Sequence, residues 1–373
     1  MPRSSTPYPT ADQRKHAVEL SRAMQRVCAS GTYILGSEVE AFETEFAIFL
    51  GTTQVVGVAS GTDAIEVMLR SLEIGLGSKV AVPSFAPSAV AAGVARSGAE
   101  PVFADIEPDT FTLCHVSLEA LLRSPQGRKV KAALVVHLYG HPANWESLQQ
   151  VAHKHGIHLL EDCAQSHGAL WQGRMTGTLG KAAAFSFYPT KNLAALGDAG
   201  AVATNDANLA DRIRLIRQYG WQQRYISERA GVNSRLDELQ AAVLRVKLGA
   251  LPESIQQRKR LAAEYDARLG SSFVVTSPTV RGGCEHAYHQ YVIRSEQRAA
   301  LMQHLQQAEI PVSAHYPVPL HLQPAFAGSR MMPLPESERA AAEVISLPIH
   351  PYLSQDAVGA VCDAIERFDH ATC

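Results

Sequence analysis

Long apolar runs, a secretory leader and a strong net charge are all missing from this sequence. No uninterrupted apolar run approaches the ~20 residues that a membrane-spanning helix needs. Residues 1–7 contain no apolar segment of the kind that directs secretion. The formal net charge of −2 gives no basic surface for nucleic acid. We therefore expect a cytoplasmic protein that binds neither membranes nor nucleic acid.

Cysteine motifs and metal-ligand patterns are missing as well. The six cysteines are scattered along 373 residues without a Cys-x-x-Cys pair, which is typical of reduced thiols. The fifteen histidines form neither a His-Glu-x-x-His motif nor a cluster with cysteines. We expect free thiols and no metal site.

What the sequence does contain is the strand pattern of an α/β protein. Hydrophobic residues make up 46% and charged residues 19%, as in ordinary globular proteins. Between about residues 55 and 160, short strands that are apolar throughout alternate with helices. That alternation predicts a mostly parallel sheet covered on both faces by helices.

The length predicts two domains, because 373 residues exceed what one hydrophobic core usually holds. The pattern of the chain changes after residue 205. We place a large domain at 13–246 and a smaller α+β domain at 247–373. This boundary falls inside one long helix, which is predicted from Leu236 past Pro252 to about residue 269.

A helix is also predicted to begin at Ser37. Ser37 and Glu40 have the spacing of a capping box, in which a serine and a glutamate satisfy the first N–H groups of a helix. Apolar residues follow at helical spacing, and Gly51 is the expected end.

The stretch Phe185–Asn205 contains the lysine most suited to chemistry, Lys191. An apolar, strand-like run ends before it at Phe187, and a second strand begins at Ala199. Lys191 is therefore predicted to lie in a loop between two apolar strands. Apolar surroundings lower the pKa of a lysine and free its amine to attack a carbonyl. The alternative is an ordinary surface lysine.

Ser60, Gly61 and Thr62 form a small-residue turn between a predicted strand and a predicted helix. Free backbone N–H groups and the positive end of the helix dipole converge at such a turn and favour an anion. Ser186, five residues before Lys191, could place a hydroxyl near an anion beside the lysine amine. Turns of this kind are common, so a simple capped helix is the alternative.

Asp162 follows the predicted strand at 157–160. A carboxylate at the end of a buried strand is costly unless a cation pairs with it, and a protonated ring nitrogen would be such a cation. Capping of the next turn is the alternative for Asp162.

Phe85 is a further candidate residue. It either stacks on a flat ring or packs in the core. Ligands bind at the carboxyl ends of parallel strands, where all these features lie, so we group them into one candidate site.

Together these motifs resemble the DegT/StrS family of sugar aminotransferases. That family has the aspartate-aminotransferase (fold type I) architecture and uses pyridoxal phosphate. The resemblance covers nearly the whole chain, although the loop Ala86–Val90 departs from the usual family sequence near the substrate. The matching motifs are Ser60-Gly-Thr-Asp-Ala64, Glu161-Asp-Cys-Ala-Gln165, Lys191-Asn-Leu193, Gly197-Asp-Ala-Gly200 and Asn233-Ser-Arg-Leu-Asp237.

The resemblance implies a role for each of these residues. Lys191 joins covalently to the aldehyde of the cofactor and then moves the substrate proton. Asp162 pairs with the pyridinium nitrogen and Gln165 lies near the ring hydroxyl. Asn233 would reach the phosphate in the neighbouring subunit, so a homodimer with composite sites is implied. The implied cofactor-binding set is Ser60, Gly61, Thr62, Phe85, Asp162, Gln165, Ser186, Lys191 and Asn233.

The resemblance also implies a substrate. The run Phe185–Lys191 is most similar to members that transfer an amino group from L-glutamate to carbon 3 of a dTDP-linked 3-keto-6-deoxyhexose. The product would be a dTDP-3-amino-3,6-dideoxyhexose. Many members that act at carbon 4 have a histidine where this chain has Tyr188. Tyr188, His315 and Tyr316 would then face the hexose, with a packed proline-rich loop as the alternative for the last two.

Three alternatives stay open on the sequence alone. The same chemistry at carbon 4, or on a UDP- or GDP-linked sugar, would use the same cofactor residues. A non-catalytic regulator with this fold is disfavoured by the intact Lys191 and Asp162. A deoxysugar dehydratase is disfavoured because a histidine replaces the lysine in that branch.

Overall fold

The computed structural model describes residues 8–329 and 332–372, and a sheet of seven strands lies at the centre of this described part. Shorter strands form three small sheets around it. The strands are β1 (Gln54–Val58), β2 (Lys79–Pro83), β3 (Glu100–Ala104), β4 (Val130–Val136), β5 (His158–Asp162), β6 (Leu170–Trp171), β7 (Arg174–Met175), β8 (Ala183–Ser186), β9 (Gly200–Thr204), β10 (Trp221–Gln223), β11 (Ile226–Ser227), β12 (Cys284–Glu285), β13 (Tyr291–Arg294) and β14 (Val344–Leu347).

Helices follow most of the strands along the chain. Among the helices of the described residues, none combines the length and the apolar character that crossing a bilayer requires. The helices are α1 (Tyr8–Lys15), α2 (Ala17–Ser30), α3 (Ser37–Leu50), α4 (Gly61–Ser71), α5 (Ser88–Arg96), α6 (His115–Arg123), α7 (Trp145–His155), α8 (Ala207–Ile216), α9 (Glu238–Leu248), α10 (Leu251–Leu269), α11 (Arg298–Gln307), α12 (Pro335–Glu343) and α13 (Gln355–Thr372).

The central sheet is covered on both faces. Its order is β1-β9-β8-β5-β4-β2-β3, and β9 alone in this sheet runs antiparallel to its neighbours. Successive strand residues point to opposite faces. Val80 and Val82 of β2 pack with α4, α5 and α8, whereas Ala81 packs with α6 and α7. The predicted α/β fold with a mostly parallel sheet is therefore confirmed.

The register of the sheet brings the candidate residues to one edge. Val58, Gly200 and Ser186 pair side by side across β1, β9 and β8. Asp162, the last residue of β5, pairs with Ala184 of β8. The loops after β1, β5 and β8 therefore begin at the same edge, where parallel α/β sheets bind ligands.

A second hydrophobic cluster lies in the C-terminal part of the chain. It joins α10, α11 and α13 to the antiparallel pair β13–β14. Val292 and Val344 pack instead with the core of the central sheet, so the two clusters share these strands. The boundary between 13–246 and 247–373 stays a prediction.

The long helix predicted across this boundary is wrong in one respect. α9 ends at Leu248 and α10 begins at Leu251, so the chain forms two helices. Pro252 lies in the first turn of α10. Proline is tolerated there because the first N–H groups of a helix have no partner within it, whereas in a helix interior it would break a hydrogen bond.

The start of α3 is capped from a distant part of the chain. α3 begins at Ser37 and ends before Gly51 in the left-handed conformation, as predicted, but Ser37 and Glu40 do not form the expected capping box. The carboxylate of Glu238 takes that role, 200 residues away along the chain, at 2.8–2.9 Å. The donors are the backbone N–H groups of Gly36, Glu38 and Val39.

Candidate active site

Lys191 lies in the loop between β8 and β9, as predicted from the apolar runs on either side. Its backbone N–H donates to the carbonyl of Tyr188 at 2.8 Å, which closes a turn. Burial lowers the pKa of Lys191 to about 8, although the negative charge of Asp162 opposes this shift. A substantial share of the amine is therefore neutral and nucleophilic near physiological pH.

Asp162 is buried at the carboxyl end of β5, with 4% of its surface exposed. Its Oδ1 atom accepts the backbone N–H of Ala164 at 2.9 Å, so the capping alternative accounts for one oxygen. Burial raises the pKa of Asp162, while this N–H and the charge of Lys191 lower it. A buried carboxylate of this kind is the partner that a protonated ring nitrogen requires.

A buried hydrogen-bond network around Glu161 fixes the carboxyl end of β5. Its two oxygens accept backbone N–H groups at 2.7–2.8 Å. His137 accepts an N–H through Nδ1, so its Nε2 donates to Glu161 at 3.1 Å. His137, Glu161 and Cys163 are close enough together to be possible metal ligands. The hydrogen bonds of Glu161 instead indicate a structural role for it. The donors to Glu161 are Gly177, Leu179 and Gly180.

The residues of the predicted anion site lie together at the start of α4. Ser60 caps the helix, and its Oγ accepts the N–H of Asp63 at 3.1 Å. The N–H groups of Gly61 and Thr62 have no partner within the helix because they belong to its first turn. Ser186 packs against this turn so closely that a Cβ on Gly61 would lie 2.5 Å from the Cβ of Ser186. The structure thus brings all four predicted residues together.

Gly200 packs against the same turn, and its replacement gives a stability prediction. A Cβ on Gly200 would lie 2.3 Å from the carbonyl oxygen of Ser60. We expect Gly200→Ala to lower the free energy of unfolding by about 1–3 kcal/mol through overpacking. Gly282→Ala is the control, because among the described residues no heavy atom beyond Gly282 and its two chain neighbours lies within 4 Å of the Cβ that this substitution adds. Equal urea midpoints for the two variants would contradict the prediction.

Phe85, Gln165 and Tyr316 meet on another side of the site. Phe85 follows β2 and is fully buried, with its ring centroid 6.3 Å from that of Tyr316. The Nε2 atom of Gln165 donates to the hydroxyl of Tyr316 at 3.1 Å. Burial raises the pKa of Tyr316 to about 12, and the negative charge of Asp162 adds to the effect. Tyr316 is therefore a neutral phenol close to Asp162.

His315 and Tyr188 have different surroundings. The Nδ1 atom of His315 lies 2.8 Å from the Oγ of Ser346. Burial lowers the pKa of His315, and the positive charge of Lys191 lowers it further, so the ring is neutral near pH 7. Tyr188 is 51% exposed on the Lys191 loop, and its backbone N–H donates to the Oγ of Ser186 at 3.3 Å.

Asn233 differs from the other predicted cofactor-binding residues because it is exposed. It forms an isolated bridge with Gln218. The next residue, Ser234, is buried, and its Oγ accepts the N–H of Ala59 at 3.1 Å and donates to Asp63 at 2.7 Å. The segment is thus fixed beside the start of α4, while Asn233 itself lies at the surface.

Two buried histidines near Lys191 were not singled out by the sequence. Burial lowers the pKa of His167 to about 3 and holds the pKa of His289 well below its ordinary value, and the charge of Lys191 contributes to both shifts. The ring centroid of His167 lies 5.6 Å from that of Phe185. His167 follows the Glu161–Gln165 motif by two positions, whereas His289 has no sequence motif around it.

The lowered pKa of Lys191 predicts how its reactivity depends on pH. With a pKa of about 8, about a tenth of the amine is neutral at pH 7, against about one part in 3000 for an ordinary lysine. Labelling of Lys191 by an amine-reactive reagent in cofactor-free protein should rise with pH and level off above about pH 8. Peptide mass spectrometry measures it, with Lys191→Ala protein as the control. Labelling that still rises tenfold per pH unit above pH 9 would contradict this.

Comparison with known proteins shows which family has this arrangement. The model of the DegT/DnrJ/EryC1/StrS aminotransferase family matches residues 15–366. The chain belongs to this family. The resemblance predicted from the sequence motifs is thereby confirmed, and the protein is an aminotransferase by family.

Individual members of the DegT/DnrJ/EryC1/StrS family are similar over nearly the whole chain. The dTDP-3-amino-3,4,6-trideoxy-alpha-D-glucose transaminase of Streptomyces venezuelae is 44% identical over 359 residues, which cover 95% of this chain and 94% of that enzyme. The dTDP-3-amino-3,6-dideoxy-alpha-D-galactopyranose transaminase of Aneurinibacillus thermoaerophilus is 41% identical, covering 95% and 97%. The crystal structure of S. venezuelae DesV with a ketimine intermediate superposes with a TM-score of 0.95 at 42% identity, covering 99% of both chains.

Proposed function

We propose that this family member transfers the amino group of L-glutamate to carbon 3 of a dTDP-linked 3-keto-6-deoxyhexose and uses pyridoxal phosphate to do so. The product would be a dTDP-3-amino-3,6-dideoxyhexose. The observation that carries the proposal is that Lys191, with its lowered pKa, lies close enough to the buried Asp162 for their charges to interact, at the sheet edge where α4 begins. The names of both related transaminases, which contain a dTDP-3-amino sugar, support carbon 3 and the nucleotide.

The residues at the sheet edge fit pyridoxal phosphate. A phosphate is dianionic, and the first turn of α4 offers it unpaired N–H groups with the hydroxyl of Ser186 alongside. Asp162 suits the ring nitrogen, and Phe85 offers a buried aromatic surface. When bound, the cofactor supplies an aldehyde that condenses with amines and a ring that accepts electron density.

The chain's own residues would then orient the reactants and move the proton. Lys191 would be the base, because its lowered pKa lets it release and take up a proton near neutral pH and no other lysine is implied by the family motifs. Asp162 keeps the ring nitrogen protonated, since separating a buried carboxylate from its cation is costly. Gln165 would support the hydroxyl side of the ring. Neutral His315 and Tyr316, together with Tyr188, would contact the hexose.

We also propose that the protein works as a homodimer in the cytoplasm. Asn233 is exposed in the single chain, which suits a residue that reaches the phosphate of a second subunit. Several large apolar side chains are exposed in the single chain, and burial of apolar surface favours association. They are Val18, Tyr33, Ile34, Ile48 and Leu76.

The test is a substrate comparison with purified, cofactor-loaded protein and L-glutamate. We expect amination of the dTDP-3-keto-6-deoxyhexose, with nuclear magnetic resonance placing the new amine on carbon 3. Transamination is reversible, so the stable dTDP-3-amino sugar and 2-oxoglutarate provide the same test in the opposite direction. Turnover only of the 4-keto isomer would overturn the position.

The remaining alternatives give different results in the same experiment. Preference for a UDP- or GDP-linked sugar at equal concentration would overturn the nucleotide but keep the chemistry. A protein that takes up no pyridoxal phosphate and gives no turnover in either direction would support the non-catalytic regulator instead. Loss of turnover in Lys191→Ala separates enzyme activity from a contaminant.

A further inference from the structure

Tyr139 has contacts in the site that the proposed function leaves without a role. It lies in the 3₁₀ turn Leu138–Gly140 that follows β4. Its backbone has φ 60° and ψ −2°, which is the left-handed region that residues with side chains rarely adopt. Its side chain is buried, with 3% exposed. The surrounding contacts must therefore hold this turn in a conformation that the local sequence does not favour.

Two hydrogen bonds from Tyr139 reach different sides of the site. Its backbone N–H donates to the Oε1 of Gln165 at 2.6 Å. Its hydroxyl donates to the backbone carbonyl of His315, 176 residues away along the chain. A single residue thus contacts both the loop after β5 and the proline-rich segment of the C-terminal part.

A third hydrogen bond closes these contacts into a ring. Gln165 uses its Oε1 to accept from Tyr139 and its Nε2 to donate to the hydroxyl of Tyr316 at 3.1 Å. Tyr316 is joined to His315 by the chain, and His315 accepts from Tyr139. Removal of the Tyr139 hydroxyl would open this ring at one point without removing any group that faces the substrate.

We propose that Tyr139 is a positioning residue that fixes His315 and Tyr316 relative to Gln165 and thereby sets the affinity for the nucleotide sugar. The inference rests on the proposed function, in which His315 and Tyr316 face the hexose. Tyr139 is expected to act on the sugar half of the reaction only. Its hydroxyl donates to the carbonyl of His315, so loss of the hydroxyl leaves in place the bond from the Tyr139 N–H to Gln165, a residue that serves both halves.

The surroundings of the Tyr139 ring support a fixed donor. The ring centroid lies 5.6 Å from that of Phe111, which in turn lies 6.2 Å from that of Phe85. Burial holds the pKa of Tyr139 well above its ordinary value, so the hydroxyl stays protonated and donates throughout the working pH range. Ser346 gives His315 a second hydrogen bond, so loss of the Tyr139 hydroxyl should loosen the segment and leave it folded.

Tyr139→Phe and Tyr265→Phe form a matched pair for the test. The hydroxyl of Tyr265 donates to the carbonyl of Pro348 at 2.9 Å in the C-terminal cluster, so each variant loses one buried tyrosine-to-carbonyl hydrogen bond. The readouts are the Kd of the dTDP-3-amino-3,6-dideoxyhexose product by calorimetry, the KM of the keto sugar, and the absorbance change on adding glutamate alone. If Tyr139→Phe does not fold, Phe111→Leu, which removes ring packing around Tyr139, takes its place.

We expect Tyr139→Phe to weaken product binding and raise the sugar KM by about five- to tenfold, the size of one lost buried hydrogen bond. The glutamate half-reaction should stay within about twofold of wild type, and Tyr265→Phe should leave all three readouts unchanged. Unchanged sugar binding in Tyr139→Phe, or an equal loss in the glutamate half-reaction, would overturn the inference. Wild-type protein that neither binds nor aminates the sugar would overturn the proposed function and this inference together.

Discussion

Replacement of Lys191 by alanine is expected to reduce the rate of transamination by about 10⁴-fold or more. The variant would lose both the amine that holds the cofactor covalently and the base that moves the proton, and proton transfer alone contributes about 10²–10⁴-fold. The position of Lys191 between two buried strands and its pKa of about 8 are the structural grounds for this effect. Initial rates with saturating glutamate and keto sugar measure it, together with the absorbance of the cofactor-loaded protein.

Two control variants separate this role from a general effect of charge. Lys181→Ala removes a lysine that is partly exposed and paired with Asp206, and it should retain activity within about threefold. Lys191→Arg keeps the positive charge but presents a guanidinium that does not deprotonate, so it should be as inactive as Lys191→Ala. Activity of Lys191→Ala within tenfold of wild type would contradict the assignment.

Asp162→Asn is expected to reduce kcat by about 10²–10³-fold, the usual cost of removing one preorganised electrostatic contact. The amide keeps the shape of the side chain, and its oxygen can still accept the N–H of Ala164. What it removes is the negative charge that would keep the ring nitrogen protonated. Because the same charge raises the pKa of Lys191, that pKa should fall further below about 8 in the variant.

Asp206→Asn is the matched control for the carboxylate. Asp206 caps α8 through the N–H of Leu209 and pairs with Lys181, far along the chain from β5. We expect little change in kcat for this variant, since surface ion pairs contribute at most about 1 kcal/mol to stability. A loss of less than about tenfold for Asp162→Asn would show that the carboxylate is only a cap, the alternative that its hydrogen bond to Ala164 supports.

Much of the site could be predicted from the sequence because it depends on where strands end. Apolar runs before Asp162 and on both sides of Lys191 set the strand limits, and parallel strands place their ends at one edge. The small-residue turn at Ser60 directly follows the first strand, and this position brings it to the same edge. Each of these patterns is local in the sequence, and the pairing of the strands in the sheet is enough to bring the residues to one edge.

The spacing of apolar and capping residues does not predict two features of the helices. The cap of α3 comes from Glu238, so the spacing of Ser37 and Glu40 gave the right helix start with the wrong partner. The break between α9 and α10 was missed because apolar spacing continued across Pro252, which is compatible with a helix only in its first turn.

Tyr139 shows why a positioning residue is hard to find from sequence. Its left-handed backbone conformation is normally a glycine feature, and nothing in the neighbouring Leu138–Gly140 turn predicts it. Its partners Gln165 and His315 are 26 and 176 residues away. Only the folded chain places the three together.

One amine of this chain, that of Lys191, is expected to form the bond to the cofactor. The most direct test is to load the protein with pyridoxal phosphate, reduce it with borohydride and map the modified peptide by mass spectrometry. We expect one cofactor-derived mass per chain, on the peptide that contains Lys191. A modification on another lysine such as Lys181, or none after loading, would contradict it.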